Sequence, residues 1–151
     1  MDLILRIISN RFVFLAIRIV LGVVFIWASI DKIAHPAGFA EAIYNYRMLP
    51  HWTINLMAII MPWLELICGI LLIVGVLWRG SAFMIGVLLA VFIVALSSAL
   101  IRGLDISCGC FTVDGDHGIA VDLLVRDILM IIGVGILLAN PKGQLVLIDR
   151  N

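Results

Sequence analysis

Charge is scarce in this chain. Asp, Glu, Lys and Arg make up 13% of its 151 residues, against about 25% in ordinary soluble domains. The 10 basic and 10 acidic residues cancel, and no Lys/Arg cluster or basic stripe is present. A nucleic-acid interface needs such a cluster, so that class of partner is excluded. Cysteine is equally sparse. Three residues allow one intramolecular disulfide and leave one thiol over, so the fold is not a disulfide-stapled scaffold. Internal repeats, low-complexity linkers and a segment fit to form a soluble domain are all missing.

What fills the space is apolar. Hydrophobic residues make up 64% of the chain and mean hydropathy is +1.24. Soluble domains run to about 45–50% apolar, and no water-soluble fold of this size hides so much apolar surface. Lipid is therefore the expected solvent, and the expected fold is all-α: an integral-membrane four-helix bundle forming a single transmembrane domain over residues 1–151. Charged borders mark four spans at about 12–30, 53–78, 81–101 and 119–139. Each is long enough for the roughly 20 residues that cross the hydrocarbon, and continuous helix satisfies the backbone there. The first apolar run is too long for a cleaved signal and lacks a small-residue cleavage site before Asp31, so it is expected to be retained as the first span. Pro62 is a candidate kink in the second.

Two connections exceed a tight turn. Residues 31–52 contain a candidate interfacial helix after Pro36, with Phe39, Ile43 and Tyr46 at helical spacing and Glu41, Asn45 and Arg47 around the other sides. Residues 102–118 read RGLDISCGCFTVDGDHG, and their glycines and aspartates favour turns. A short turn around Arg79 and Gly80 is expected between spans two and three. With four spans, Arg6, Arg11, Arg79, Lys142 and Arg150 share one side and Lys32, Arg47 and Arg102 the other. The positive-inside rule then puts both termini in the cytoplasm and both long loops outside, in a bacterial inner membrane.

Cys108-Gly109-Cys110 is the most informative motif. A thiolate attacks, and a second thiol two residues away resolves the mixed disulfide. Glycine gives the backbone the freedom that so short a bridge needs, and a strained bridge is labile, which suits passing a disulfide on. The outer face of a bacterial membrane permits that chemistry. Two other readings stay open: a static staple, or half of a metal site with His117 as a third ligand, although zinc normally takes four. Cys68 falls about 20 Å below the outer end of span two at 1.5 Å per residue. That is too deep for exchange with the pair, so it reads as a small buried hydrophobe.

The intramembrane charges form a second constellation: Arg18, Glu65, Arg126 and Asp127. Such groups face the bundle interior and pair. Asp122 and Arg126 lie i,i+4 and can pair, whereas the adjacent Arg126 and Asp127 point about 100° apart and should not. Counting depth puts Glu65 within about 5–6 Å of level with both Arg18 and Arg126, so Arg18–Glu65 and Arg126–Glu65 bridges are both feasible. The group reads as a structural ion pair, a polar pocket for a quinone head group or proton transfer, or a transport path. His35 and His51 are expected to be solvated. Trp27, Trp52 and Trp78 are read as interface anchors, with Trp63 deeper and able to line a pocket. Gly69, Gly75, Gly133 and Gly135 are read as points of close helix approach.

An arginine early in span one, then LGVVFIWASIDKIAHPAGFAEAIYNYRMLP and PWLELICGILLIVG, resembles the DoxX-like four-helix membrane proteins. The tetrad CGCF (Cys108 to Phe111) and VRDILM (Val125 to Met130) resemble more specifically its MauE branch, the methylamine-utilisation family. The resemblance runs from about Arg18 to Leu138. It implies a role in disulfide formation or maturation of periplasmic proteins beside thioredoxin-like partners. It also implies an architecture similar to the quinone-linked thiol oxidoreductases of the vitamin K epoxide reductase and DsbB type. Those enzymes carry a Cys-x-x-Cys near the quinone and usually a second pair; this chain has one Cys-x-Cys and a remote third cysteine.

The leading expectation is thus a redox-associated inner-membrane protein. Cys108 and Cys110 would exchange a disulfide with a periplasmic thioredoxin-like protein or client, and a quinone would take electrons near Arg18, Glu65 and Arg126. No metal is expected. The alternatives are a non-enzymatic scaffold that recruits a thioredoxin-like partner and a small-solute transporter built around the buried charges.

Overall fold

The computed structural model describes residues 11–102 and 117–139. Every element in them is a helix: α1 (Arg11–Ala34), α2 (Pro36–Asn45), α3 (His51–Val74), α4 (Trp78–Ile101) and α5 (His117–Ala139). Among the described residues, α1 from Phe12, α3 and α4 are long and apolar enough to cross a membrane. α5 is nearly as long at 23 residues, but Asp122, Arg126 and Asp127 sit in its first half. The helix expected after Pro36 is present as α2, with Phe39 and Ala42 buried, Ile43 and Tyr46 half-buried and Glu41 exposed.

The buried face of α1 follows a three-and-four spacing: Phe14, Arg18, Leu21, Phe25, Ser29 and Lys32. That stripe is what a helix in a left-handed bundle presents to its neighbours. α3 supplies Ile54, Ala58, Pro62, Glu65, Cys68 and Leu72, and α4 supplies Ile85, Leu88, Leu89 and Leu96 among others. Val134 and Leu137 of α5 close the core. α1 packs chiefly on α3 and α5 chiefly on α4, while α2 lies against α3 and α1. Outward faces carry large apolar side chains such as Ile59, Phe83 and Val94, the pattern that lipid solvent favours. Pro62 sits inside α3 without ending it.

The reversal between α3 and α4 lies at residues 75–77, earlier than the turn expected at Arg79 and Gly80. Gly75 takes the left-handed conformation (φ 89°) and returns its N–H to the Leu71 carbonyl at 2.9 Å, a glycine helix stop that costs no Cβ strain. Leu77 is left-handed as well (φ 53°). Gly75 is therefore a terminator and not a close-approach point. Trp78, expected at the membrane interface, instead opens α4 in the core, with its ring edge-on to Phe14 at 5.2 Å.

The close approach is made by Gly69 together with Gly22, which the sequence reading did not single out. A Cβ on Gly22 would overlap the Ile73 side chain and stand 2.9 Å from the Gly69 carbonyl. A Cβ on Gly69 would stand 3.0 Å from the Gly22 carbonyl and from Ile26. Gly133 leaves ordinary contact room toward Ile17 at 3.4 Å, and Gly135 has nothing within 4 Å, so close approach does not explain Gly135.

Gly22→Ala should therefore destabilise the bundle by about 1–3 kcal/mol, the usual cost of overpacking, and Gly22→Val by more. Gly135→Ala should be neutral or slightly stabilising in the helix. Thermal unfolding of the three variants in detergent checks this; equal effects at Gly22 and Gly135 would contradict the crossing.

Candidate functional site

Lys32 is the residue that completes the buried charge constellation, and the sequence reading had placed it in an outer loop. α1 continues past Asp31 to Ala34, which puts Lys32 on the core stripe at 3% exposure. Its Nζ donates to Glu65 Oε1 and Oε2, each at 2.8 Å. Glu65 is 1% exposed. Phe39 of α2 and Phe92 of α4 face the ammonium at 5.1 and 4.7 Å from their ring centroids. An ammonium out of water is favoured by ring faces as well as by a carboxylate, so three elements, α2, α3 and α4, stabilise one cation carried by α1.

Side-chain direction explains how the pair meets. On a helix the Cα–Cβ bond leans toward the N-terminus. α1 and α3 run antiparallel, so Lys32 leans back along α1 while Glu65 leans toward the start of α3, and their tips converge. The expected Arg18–Glu65 and Arg126–Glu65 bridges are replaced by this one. The expectation that Glu65 lies inside the bundle and is paired holds.

Arg18 is fully buried at the other end of α1. Its Nε donates to the Leu72 carbonyl at 2.9 Å and its Nη2 to the Ile73 carbonyl at 3.0 Å. Those carbonyls belong to the last turn of α3, where the helix has no N–H of its own to offer and the dipole favours a cation. Arg18 thus caps α3 from a neighbouring helix. Equal counts from the helix ends do not mean equal depth here, because α1 and α3 are staggered: Arg18 comes level with Leu72 and Ile73, about 11 Å along the axis from Glu65 at 1.5 Å per residue.

Arg126 meets Asp127, the partner that angular separation had ruled out. Its Nη2 and Nε approach Asp127 Oδ1 at 3.1 and 3.3 Å. Asp127 points into the bundle at 7% exposure, and the long guanidinium stem folds around the helix to reach it. Asp122 is exposed. Among the described residues, Arg18, Glu65 and Arg126 thus contact different groups: the carbonyls that end α3, Lys32 and Asp127. Among the described residues no buried side-chain nitrogen or oxygen lacks a partner, and none groups as a metal site.

Cys68 is free and buried among core residues, as a small hydrophobe should be. His35 and His51 are exposed, as expected for solvated side chains. Trp63 is half-exposed on the outer face of α3, and Trp27 and Trp52 are exposed. Cys108 and Cys110 lie outside the described residues, as does the side chain of His117.

Removing one member of the Lys32–Glu65 pair should strand the other in a dry interior, costing about 3–5 kcal/mol, whereas an apolar pair of similar volume recovers most of the loss. Lys32→Met and Glu65→Gln should each lower the unfolding temperature sharply, and Lys32→Met with Glu65→Leu should restore it. Arg18→Met with Glu65→Gln should show little coupling, since the two groups share no contact. Coupling of Glu65 to Arg18 and none to Lys32 would overturn the assignment.

Comparison with known proteins places the chain. The family model described as methylamine utilisation protein MauE matches residues 10–140. The methylamine utilization protein MauE of Paracoccus denitrificans is 30% identical over 116 residues, covering 76% of this chain and 62% of that protein. The protein of the same name from Methylorubrum extorquens is 32% identical over 85 residues, covering 56% of this chain and 46% of the relative. That of Methylophilus methylotrophus is 34% identical over 84 residues, covering 55% and 44%. The chain spans less than two thirds of the length of these relatives. No solved structure matches. With a family model that runs from the start of α1 to the end of α5, the chain belongs to the methylamine utilisation protein MauE family.

Proposed function

We propose that this chain is a four-span protein of the bacterial cytoplasmic membrane that supports methylamine utilisation by thiol–disulfide exchange at Cys108 and Cys110, with a periplasmic thioredoxin-like protein or client as partner. The observation that carries the reading is the Cys108-Gly109-Cys110 motif in a chain whose described charged core is already engaged in holding helices. α5 serves as the fourth span because Asp127 is buried and paired, and Asp122 stands only five residues from the helix start, near the interface. α2 serves as the interfacial helix.

The position of Lys32 sharpens the orientation. A lysine in the bundle core does not count as a loop charge, so the bias becomes five basic residues against Arg47 and Arg102. Both termini then face the cytoplasm and the segment between α4 and α5 faces the periplasm.

The exchange balances without a further reagent. One thiolate of the pair attacks a partner disulfide, forming a mixed disulfide and expelling a partner thiolate. The second thiolate attacks that bridge, leaving Cys108–Cys110 oxidised and the partner with two thiols; two electrons have moved to the partner. The reverse sequence oxidises a client. A quinone at Arg18, Glu65 and Arg126 would extend this reading, but those residues are engaged in separate places, so no step is routed through one.

Cys108→Ser and Cys110→Ser should each abolish exchange, and one of them should trap a mixed disulfide visible on non-reducing electrophoresis. Cys68→Ala should cost only a small packing defect. A scaffold would instead lose partner binding without any covalent adduct, and a metal site would respond to His117→Ala as strongly as to either cysteine change. Full function in the Cys108→Ser, Cys110→Ser double variant would end the redox reading. A membrane-impermeant thiol reagent should label the reduced pair in intact spheroplasts; labelling only after lysis would reverse the topology.

A further inference from the structure

The Lys32–Glu65 pair is dry on three sides because long helices surround it, and on the fourth because α2 covers it. That cover is thinly attached. α2 is 10 residues long and buries only Phe39 and Ala42. It opens at Pro36, which has no N–H to continue the ladder from α1, and His35 before it provides no side-chain cap. Its far end turns through Arg47, a non-glycine residue in the left-handed region at φ 50°, a conformation that persists only where the surroundings impose it. Contacts on either side hold this end in place. The Tyr44 ring lies 4.8 Å from the His51 ring, and Arg102 Nη1 donates to the Tyr46 carbonyl at 3.3 Å. Between hinge and latch, Phe39 sits over the ammonium.

We propose that α2 is a latched roof over the buried ion pair, hinged at His35–Pro36 and held shut by Arg102 on the Tyr46 carbonyl, whose opening admits water to Lys32 and Glu65. The hinge end stays tied to α1 through the His35 N–H to Asp31 carbonyl bond of 3.0 Å, so the far end moves first. All the side chains that must separate lie on the roof's underside or in its latch, and the ion pair itself stays intact.

The test is thiol accessibility at Ala42, in nanodiscs of phosphatidylethanolamine and phosphatidylglycerol that expose both membrane faces. The background carries Cys68→Ala, Cys108→Ser and Cys110→Ser. Ala42→Cys should react with a soluble maleimide slowly, at least about tenfold slower than the exposed control Glu41→Cys, because it reacts only through local opening. Arg102→Ala, which removes the latch, and Phe39→Leu, which weakens the seal, should each accelerate it about tenfold. Ala82→Cys, buried in α4, should stay unreactive throughout. The proposal falls if neither variant changes the rate at position 42, if Ala42→Cys reacts as fast as Glu41→Cys in the parent, or if Ala82→Cys rises in step, which would mean general loosening.

Discussion

The crossing of α1 and α3 at Gly22 and Gly69 sets the register on which the rest of the bundle depends. A Cβ on either residue would stand within about 3.0 Å of the other's carbonyl oxygen, so only glycine fits at both. In lipid, association gains little from burying apolar surface, so close backbone packing and buried polar contacts carry it. Once that crossing is fixed, Arg18 comes level with the last turn of α3, and Lys32 reaches Glu65 from the opposite direction. One tight contact in the middle is flanked by a polar clasp on each side. Slipping the helices by a turn would strand a guanidinium, an ammonium and a carboxylate together.

The two clasps differ in chemistry. Arg18 satisfies carbonyls that any α3 of this length would leave open, so it makes good a defect of helix geometry. Lys32 and Glu65 satisfy each other, and their desolvation is offset by a two-oxygen contact and two aromatic faces. Among the described residues, no buried side-chain nitrogen or oxygen in either clasp lacks a partner.

Much of this was legible in the sequence. The helical class, α2 and the burial of Glu65 and Cys68 follow from hydropathy, spacing and the cost of an unpaired charge in lipid. The partner of Glu65 was not legible from span borders, because Asp31 looked like a boundary when the helix runs one further turn. The three-and-four spacing from Phe14 through Phe25 to Lys32 did contain the signal. Gly22 was hidden for another reason: a glycine beside Leu21 in an apolar run looks like any other until its opposite number, Gly69, is known. Arg126 and Asp127 show the limit of wheel angles, since a long side chain can wrap around its own helix. Gly75 looked like a packing residue and proved to be a stop because only backbone dihedrals distinguish the two.

The proposed function requires that Cys108 and Cys110 react as a unit while Cys68 stays inert in the core. The most direct measurement is differential alkylation and intact-mass analysis of the wild-type protein in its own membranes, before and after equilibration with dithiothreitol and then with diamide. The account predicts that Cys108 and Cys110 gain and lose a disulfide together and reversibly, with Cys68 reduced throughout. A pair that remains as two free thiols under diamide, or a disulfide that involves Cys68, would contradict it.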